Sequence, residues 1–464
     1  MLIQRLTSAH PAVRRDTTDM FEMRQVSSRI GQSKRPRGPR SSLTPTLHLD
    51  LRTRAVIYYL NYYLRAPADM QRLPGSVSDS IEEWVSGKTI PIIDSAVSSM
   101  ALVVFSRTQQ HSVAAAEAYV HYGELLRHAH KTLSGLVETN IDAALLVVFL
   151  MSRSEDSLHG RADTVPNSYL HHDGAAAILK IWRNQHPLEK LSATSAVKYS
   201  RRGIIRSALL RYLSVPAWLE DGQPFGECGK DLDYDRIVVQ VARFRNQLTV
   251  LQRNNFQPNS SNPKLFQELQ KLRSEAANLD HALRDWAIRI PSSWYPRRHL
   301  MPTTSFLPTR DFFSSEVYSY SSIAYATLWL NYSATRLLVN QAWLKILELI
   351  QPYSDSSVYA HEVKECHSRL IATSVDMSSS IPFVLERFKV TDRGQQQTEI
   401  TLNTYAEITP YVADLTVWPL GVASCIGSLP IEHKQWFRIQ LSFVGRILGC
   451  GILECISAAD LLDL

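Results

Sequence analysis

Two short segments of the chain carry residue types that bind phosphate or metal ions in other proteins. The first, Ser86–Thr89 (SGKT), has the lysine and threonine that end a phosphate-binding loop. Such a loop also needs a glycine five residues before Gly87, because backbone amides must wrap around the phosphates. That position is Glu82. We therefore predict that this segment does not bind nucleotides.

The second segment is His171-His172-Asp173, the densest group of metal-binding residue types. Neighbouring residues on a helix point about 100° apart, so the two histidines cannot share one ion without a third element. We interpret them as an exposed or capping pair. Cys450 and Cys455 lie five positions apart on a predicted helix. They fall on different faces, and we interpret them as small buried residues.

Catalytic signatures are missing from the sequence as a whole. It contains no G-x-S-x-G nucleophile elbow and no H-E-x-x-H zinc pair. Its five cysteines are scattered, and their odd number argues against a disulfide framework and indicates a reducing compartment. We predict no catalytic, cofactor or metal site. An enzyme on a helical scaffold is kept as an alternative that a convergent set of polar groups in a deep pocket would support.

Charge is distributed unevenly along the 464 residues. The first forty hold nine Lys/Arg and three acidic residues, whereas the remaining 424 hold 41 of each sign. The pI near 9.0 therefore describes a basic tail on a neutral body. The longest apolar run, Ala143–Met151, has nine residues, whereas a membrane span needs about 20. With no secretory signal at the start, we predict a soluble intracellular protein without membrane contact.

Residues 1–48 are rich in Arg, Ser, Thr and Pro and show little periodicity. This composition predicts a disordered basic tail. Within it, Lys34, Arg35, Arg37 and Arg40 form a cluster that is a candidate nuclear import signal. Two alternatives stay open, a weak phosphate-contacting arm and a solvated segment with no specific role.

Residues 49–464 show helical rather than alternating hydrophobic spacing, and strand signals are few. We predict an all-α fold with one large helical domain over 49–464, and a loop at Thr391–Thr398. The tryptophans at helical spacing are interpreted as core residues, namely Trp182, Trp218, Trp286, Trp329, Trp343, Trp418 and Trp436. A small-molecule pocket between the helices stays open as an alternative. The predicted helices are Leu51–Leu64, Ser80–Trp84, Pro91–Thr108, Ser112–Leu133, Thr139–Ser152, Asn167–Asn184, Ala196–Leu213, Asp233–Asn254, Asn262–Ile290, Tyr318–Ile350, Tyr359–Met377, Thr416–Ile426 and Ile431–Leu462.

The segment Arg211–Arg245 (RYLSVPAWLEDGQPFGECGKDLDYDRIVVQVARFR) resembles a recurring part of the fungal zinc-cluster transcription regulators. In that family a basic helix is followed by a Pro-x-Trp-Leu pattern, a Gly/Glu turn and another helix that ends in arginine. Three further blocks resemble the family in the same order along the chain: Tyr169–Leu179, Leu272–Trp294 and Leu415–Leu462. Together they span most of residues 50–464.

The resemblance implies a nuclear transcription regulator that controls a pathway-specific gene set, with a secondary-metabolite gene cluster as the suggested pathway. It implies other transcription factors or co-regulators as partners and leaves homodimer and heterodimer open. Family members also carry six cysteines that bind two zinc ions and place a helix in the DNA major groove. Here no cysteine precedes Cys228. We therefore expect only indirect or non-specific DNA contact, and we keep a co-regulator that acts through a DNA-binding partner as the alternative.

Four arginines occupy the helix before this family segment: Arg201, Arg202, Arg206 and Arg211. They share no continuous helical stripe, so we interpret them as a solvated face. We interpret the turn at Trp218–Gly226 as a structural corner between two helices.

Overall fold

The computed structural model describes residues 49–63, 90–158, 168–185, 193–254, 263–301, 307–353, 356–392 and 398–455. Most of these residues are helical, which confirms the all-α prediction. The first nine helices are α1 Leu51–Tyr58, α2 Pro91–Thr108, α3 Ser112–Thr139, α4 Ile141–Leu158, α5 Ser168–Gln185, α6 Ser195–Arg211, α7 Ala217–Glu220, α8 Gly229–Asn254 and α9 Pro263–Ile288. Helix α1 continues as a π-helical turn at Tyr59–Tyr63.

The second half of the chain adds helices and two small antiparallel hairpins. The strands are β1 Arg297–Leu300, paired with β2 Glu316–Ser319, and β3 Phe388–Asp392, paired with β4 Thr398–Leu402. The helices are α10 Ile323–Ile350, α11 Ser356–Val384, α12 Pro410–Ser424, α13 Ile431–Leu448 and α14 Gly451–Cys455.

One hydrophobic cluster runs through both halves, from Ala55 to Cys450. Two helices organise it, because each is covered by several others. Helix α2 packs against α1, α3, α4 and α13, and α10 packs against α8, α9, α11 and α12. Helix α6 joins the halves through contacts with α4, α5 and α8. All seven tryptophans predicted as core residues are buried in this cluster or packed against it, as expected.

The hairpins and several helix ends differ from the sequence-based expectations. Tyr318, predicted as the first residue of a helix, lies in β2, and the helix begins at Ile323, where the Ser322 side chain accepts a hydrogen bond from the Ala324 amide. The helix predicted over Ile431–Leu462 ends at Leu448, because Gly449 adopts the left-handed conformation that commonly ends helices.

The loop predicted at Thr391–Thr398 is wrong at its ends, because Thr391 and Asp392 belong to β3 and Thr398 begins β4. Residues 393–397 lie outside the described residues. The predicted helix Ser80–Trp84 and the tail with its candidate import signal lie outside the described residues, so both stay predictions. Within the part of the chain that the structure describes, no helix has the length and apolar character needed to span a bilayer.

Candidate functional site

The arginine-rich helix and the turn after it form an ionic cluster, which we call the arginine corner: Arg201, Arg202, Glu227, Asp231 and Asp235. The cluster is buried at Arg201, Glu227 and Asp235 and partly exposed at Arg202 and Asp231. The side chain of Arg201 is fully buried. It donates two parallel hydrogen bonds to the carboxylate of Asp235 on α8, at 2.7 and 2.9 Å. This two-point geometry is the strongest that an arginine and a carboxylate form.

The same guanidinium also closes the turn between α6 and α8. Its Nε donates to the carbonyl oxygen of Leu219 at 3.0 Å, and its second amino group donates to the carbonyl oxygen of Glu220 at 3.2 Å. The interpretation of Trp218–Gly226 as a structural corner is therefore confirmed.

Arg202 pairs with a second buried carboxylate in the corner. It donates two hydrogen bonds of 2.6 Å each to Glu227, whose side chain is fully buried, and one of 3.0 Å to Asp231. Lys198 lies 3.3 Å from Glu227 as well. The pKa of Arg202 is raised, because these carboxylates outweigh the effect of burial. The prediction that these arginines form a solvated face is thus wrong for Arg201, whereas Arg202 keeps 39% of its side chain exposed.

Arg211, at the exposed end of the same helix, pairs with Asp173 at 2.8 Å. The ion pairs of these arginines reach two different helices, since Arg201 and Arg202 bind carboxylates of α8 and Arg211 binds one of α5. A search for one continuous face could not detect this arrangement.

Gly222 is the turn residue that the corner requires. A Cβ atom at this position would lie 2.4 Å from Oδ2 of Asp235 and 2.7 Å from Cγ of Glu227. Neither carboxylate can move aside freely, because Arg201 and Arg202 hold them. Any side chain at residue 222 would therefore disturb both ion pairs.

We predict that Gly222→Ala lowers the free energy of unfolding by about 1–3 kcal/mol, the usual range for overpacking a closed site. Gly203→Ala is the matched control. It lies inside α6, where the nearest atom to the added Cβ would be 4.0 Å away, so about 0.5–1 kcal/mol of stabilisation is expected from helix propensity. Urea denaturation followed by circular dichroism measures both. Equal midpoints for the two variants would contradict the prediction.

The structure does not place the histidines of His171-His172-Asp173 as the exposed or capping pair that we interpreted from the sequence. His171 is buried, and its Nε2 lies 2.8 Å from a carboxylate oxygen of Glu155 on α4. The interpretation of His171 as exposed or capping is wrong, because α5 turns this residue towards α4. His172 is partly buried, and burial lowers its pKa. Among the described residues, no group of three or more His, Cys, Asp or Glu side chains is placed to hold a metal ion.

The interpretation of Cys450 and Cys455 as small buried residues on a helix is confirmed only in part. Cys450 is buried, as expected, but it lies in the turn before α14 rather than within a helix. Cys455 is only partly buried, at the last residue of α14.

A second ionic cluster, which sequence reasoning did not find, surrounds Asp280 on α9. Its buried side chain accepts hydrogen bonds from Arg336 and Asn340 of α10, both at 3.0 Å. Arg284, one helical turn further along α9, lies 3.2 Å from the other carboxylate oxygen. This cluster joins α9 to α10, and the spacing of Asp280 and Arg336 along the chain gave no signal for it.

A third feature is the contact of Arg206 on α6 with Trp418 on α12. The guanidinium carbon of Arg206 lies over the Trp418 ring, 5.2 Å from its centroid. Burial lowers the pKa of Arg206. Its side chain keeps an intermediate exposure, so the interpretation of Arg206 as a solvated residue holds only in part.

Comparison with known proteins adds one relative. Over 201 residues, or 41% of this chain, the sequence is 25% identical to the protein named transcription factor dbaG of Emericella nidulans. The aligned region covers 45% of that protein, so the chain spans less than half of the length of this relative. No family model matches the chain, and no solved structure matches it. The chain is therefore a distant relative of a protein that carries the name of a transcription factor.

Proposed function

We propose that this protein is a transcription regulator of the fungal zinc-cluster type that acts through its helical body in the nucleus. The observation that carries the proposal is the 25% identity over 201 residues to a protein named as a transcription factor. The four blocks that resemble the zinc-cluster regulators support the finer assignment. Control of a pathway-specific gene set, with a secondary-metabolite cluster as the suggested one, rests on that resemblance alone.

The pairing of buried carboxylates with arginines supports a regulator rather than an enzyme. Three buried carboxylates, Glu227, Asp235 and Asp280, are each bound to an arginine of another part of the fold. A fourth, Glu155, lies 2.8 Å from the buried His171. The three arginine pairs hold helices and turns together, which is a structural role for these carboxylates.

A second candidate function is a co-regulator that reaches DNA through a DNA-binding partner. The observation that favours it is the absence of any cysteine before Cys228 in this sequence. The zinc-binding cysteines of the family therefore have no counterpart in its first 227 residues.

The proposal is tested by tethering. The full chain is fused to an unrelated DNA-binding module, and transcription of a reporter with the matching sites is compared with the module alone. We expect a change in reporter transcription, and we expect Arg201→Met to abolish it, because that substitution disrupts the corner. An unchanged reporter with a stably expressed fusion would contradict the proposal.

Chromatin immunoprecipitation of the untethered chain separates the two candidates. Recovery of promoters that depends on a second, zinc-cluster protein would favour the co-regulator. Recovery without such a protein would favour direct action.

For localisation, we propose that Lys34, Arg35, Arg37 and Arg40 direct nuclear import. Replacing all four with serine is expected to shift a fluorescent fusion of the full chain from the nucleus to the cytoplasm, since import receptors read short basic clusters. The matched control replaces four other cations of the same tail, Arg5, Arg14, Arg15 and Arg24, and is expected to stay nuclear. An identical distribution of the two variants would contradict the assignment of import to this cluster.

A further inference from the structure

Strand β1 is the outer strand of the first hairpin, and one of its edges pairs with no strand among the described residues. Its other edge pairs with β2, and β2 packs against α11. An unpaired strand edge presents a row of backbone donors and acceptors to which a further strand can bind.

The register of the hairpin shows which backbone groups lie on this outer edge. The Met301 amide donates to the carbonyl oxygen of Ser315 at 2.9 Å, and bonded pairs alternate with non-bonded pairs along an antiparallel ladder. The odd-numbered residues of β1 therefore bond to β2, whereas the N–H and C=O groups of Arg298 and Leu300 point away from it. No described residue bonds to these four groups. The edge thus offers two donors and two acceptors to a third strand.

The side chains at this edge are also accessible. Leu300 is 74% exposed, and the side chain of Arg298 is 72% exposed. Arg297, whose side chain lies on the other face of the strand, is exposed as well. Charged residues commonly protect strand edges, whereas Leu300 places a large apolar side chain in water at this one.

The charge around β1 favours an acidic partner strand. Residues 288–300 contain three arginines, Arg289, Arg297 and Arg298, and no acidic residue. Glu316 of β2 lies diagonal to Arg298, and its Oε1 is 3.7 Å from the Arg298 Nε. That distance is too long for a hydrogen bond, so the guanidinium keeps its donors for another carboxylate. Pairing between two copies of β1 is disfavoured, because it would bring the arginines of one copy against those of the other.

We propose that β1 binds an extended acidic segment of a partner protein as the third strand of this hairpin. An antiparallel third strand would place one acidic residue opposite Arg298 and, two positions away on the same face, an apolar residue opposite Leu300. A second acidic residue would face Arg297 on the other side of the strand. The backbone bonds supply affinity, and the side-chain pairs supply specificity. This inference goes beyond the proposed function and does not depend on it, because it concerns peptide binding by the purified chain.

The test uses the purified full chain and the peptide acetyl-Thr-Val-Thr-Glu-Glu-Thr-Val-Thr-amide, which presents the required pattern in both strand directions. A rhodamine label allows binding to be followed by fluorescence anisotropy, and we expect saturable binding. One control peptide has lysine at both glutamate positions. The other is built from alternating L and D residues, so it keeps both carboxylates but does not pair as a regular strand. Neither control is expected to bind the unaltered chain.

Charge reversal in the protein gives a result that misfolding cannot imitate. Arg297→Glu/Arg298→Glu is expected to weaken binding of the glutamate peptide at least about tenfold, and to bind the lysine peptide instead. Arg236→Glu/Arg253→Glu is the matched control. It changes the net charge equally at two exposed arginines of α8, and it should bind the glutamate peptide as the unaltered chain does. An equal loss in this control would show that net charge rather than β1 attracts the peptide, and it would overturn the proposal.

The backbone contribution is tested at Leu300. Leu300→Pro removes an outward N–H without removing a bond to β2, whereas Leu300→Ala keeps that N–H. We expect the proline variant to bind the glutamate peptide more weakly than the alanine variant. Equal affinity of the two variants, equal binding of the peptide with alternating L and D residues, or no saturable binding of the glutamate peptide would also overturn the proposal.

Discussion

Replacing Arg201 with methionine is expected to lower the free energy of unfolding by about 3–5 kcal/mol, the usual cost of breaking a buried ion pair by removing one partner. The substitution leaves the carboxylate of Asp235 in a site where only 9% of its side chain reaches solvent. It also leaves the carbonyl oxygens of Leu219 and Glu220 without their donor. The turn between α6 and α8 therefore loses its contacts with three residues at once. Urea denaturation of the purified chain measures the loss.

The double variant Arg201→Met/Asp235→Leu separates the free energy gained from the ion pair from the free energy cost of burying its two charges. The pKa of Asp235 is raised, because the effect of burial exceeds that of its hydrogen bonds with Arg201. The charged pair is therefore costly to bury, and replacing both partners with apolar side chains should restore most of the stability lost in the single variant. A double variant no more stable than Arg201→Met would show that the carbonyl contacts, rather than the unpaired charge, dominate.

The control for this experiment is Arg243→Met. Arg243 pairs with Glu220 at 2.5 Å, but half of its side chain is exposed. Surface pairs of this kind contribute about 0–1 kcal/mol, so this variant should unfold close to the unaltered chain.

Replacing Asp280 with asparagine is expected to cost about 3–5 kcal/mol at neutral pH, since it removes the charge that Arg336 and Arg284 share. Arg336 is only 17% exposed at its side chain, so water cannot replace the lost partner well. Asp285→Asn is the matched control on the same helix. Its carboxylate is 49% exposed and lies 3.2 Å from His281, so its loss should change stability little.

This second prediction has a pH dependence with a definite sign. Burial raises the pKa of Asp280, but Arg336, Asn340 and Arg284 together hold it below its ordinary value of 3.8. A carboxyl group of this kind stabilises the fold above its unfolded-state pKa, and the contribution is lost as the pH falls through the folded-state pKa. The stability difference between the unaltered chain and Asp280→Asn should therefore be constant near neutral pH and shrink below about pH 4. A difference that stays constant down to pH 2 would contradict this account.

The hydrophobic pattern predicted the helical body because helix formation depends on spacing within a short segment. Helix α3 is an example, with buried residues at Ala114, Ala118, Tyr122 and Leu125 that follow the helical repeat. The strands were missed because each has only four or five residues. The pairing that forms β1 and β2 joins Arg297 to Ser319 across a long connection, and no local turn residue indicates it.

At the candidate site, some features follow from neighbouring residues in the sequence, whereas others depend on residues that are far apart in the chain. The Gly/Glu turn after α6 indicated a structural corner from the sequence, because a Pro-x-Trp-Leu pattern followed by glycines is a local property. The burial and the ion pairs of the arginines before this turn depend on residues that are distant in the sequence. Arg201 is buried because Asp235, 34 residues away, reaches it from α8. Arg206 is partly covered by Trp418, which lies over it from α12.

The sequence by itself therefore determined the helical class, the neutral body with a basic tail, and the order of segments that relates the chain to transcription regulators. These properties depend on composition and on spacing over a few turns of helix. Only the tertiary structure decided which charged residues form buried ion pairs and which stay partly exposed. An ion pair depends on the positions of two side chains in space, and residues far apart in the sequence become neighbours only when the helices pack.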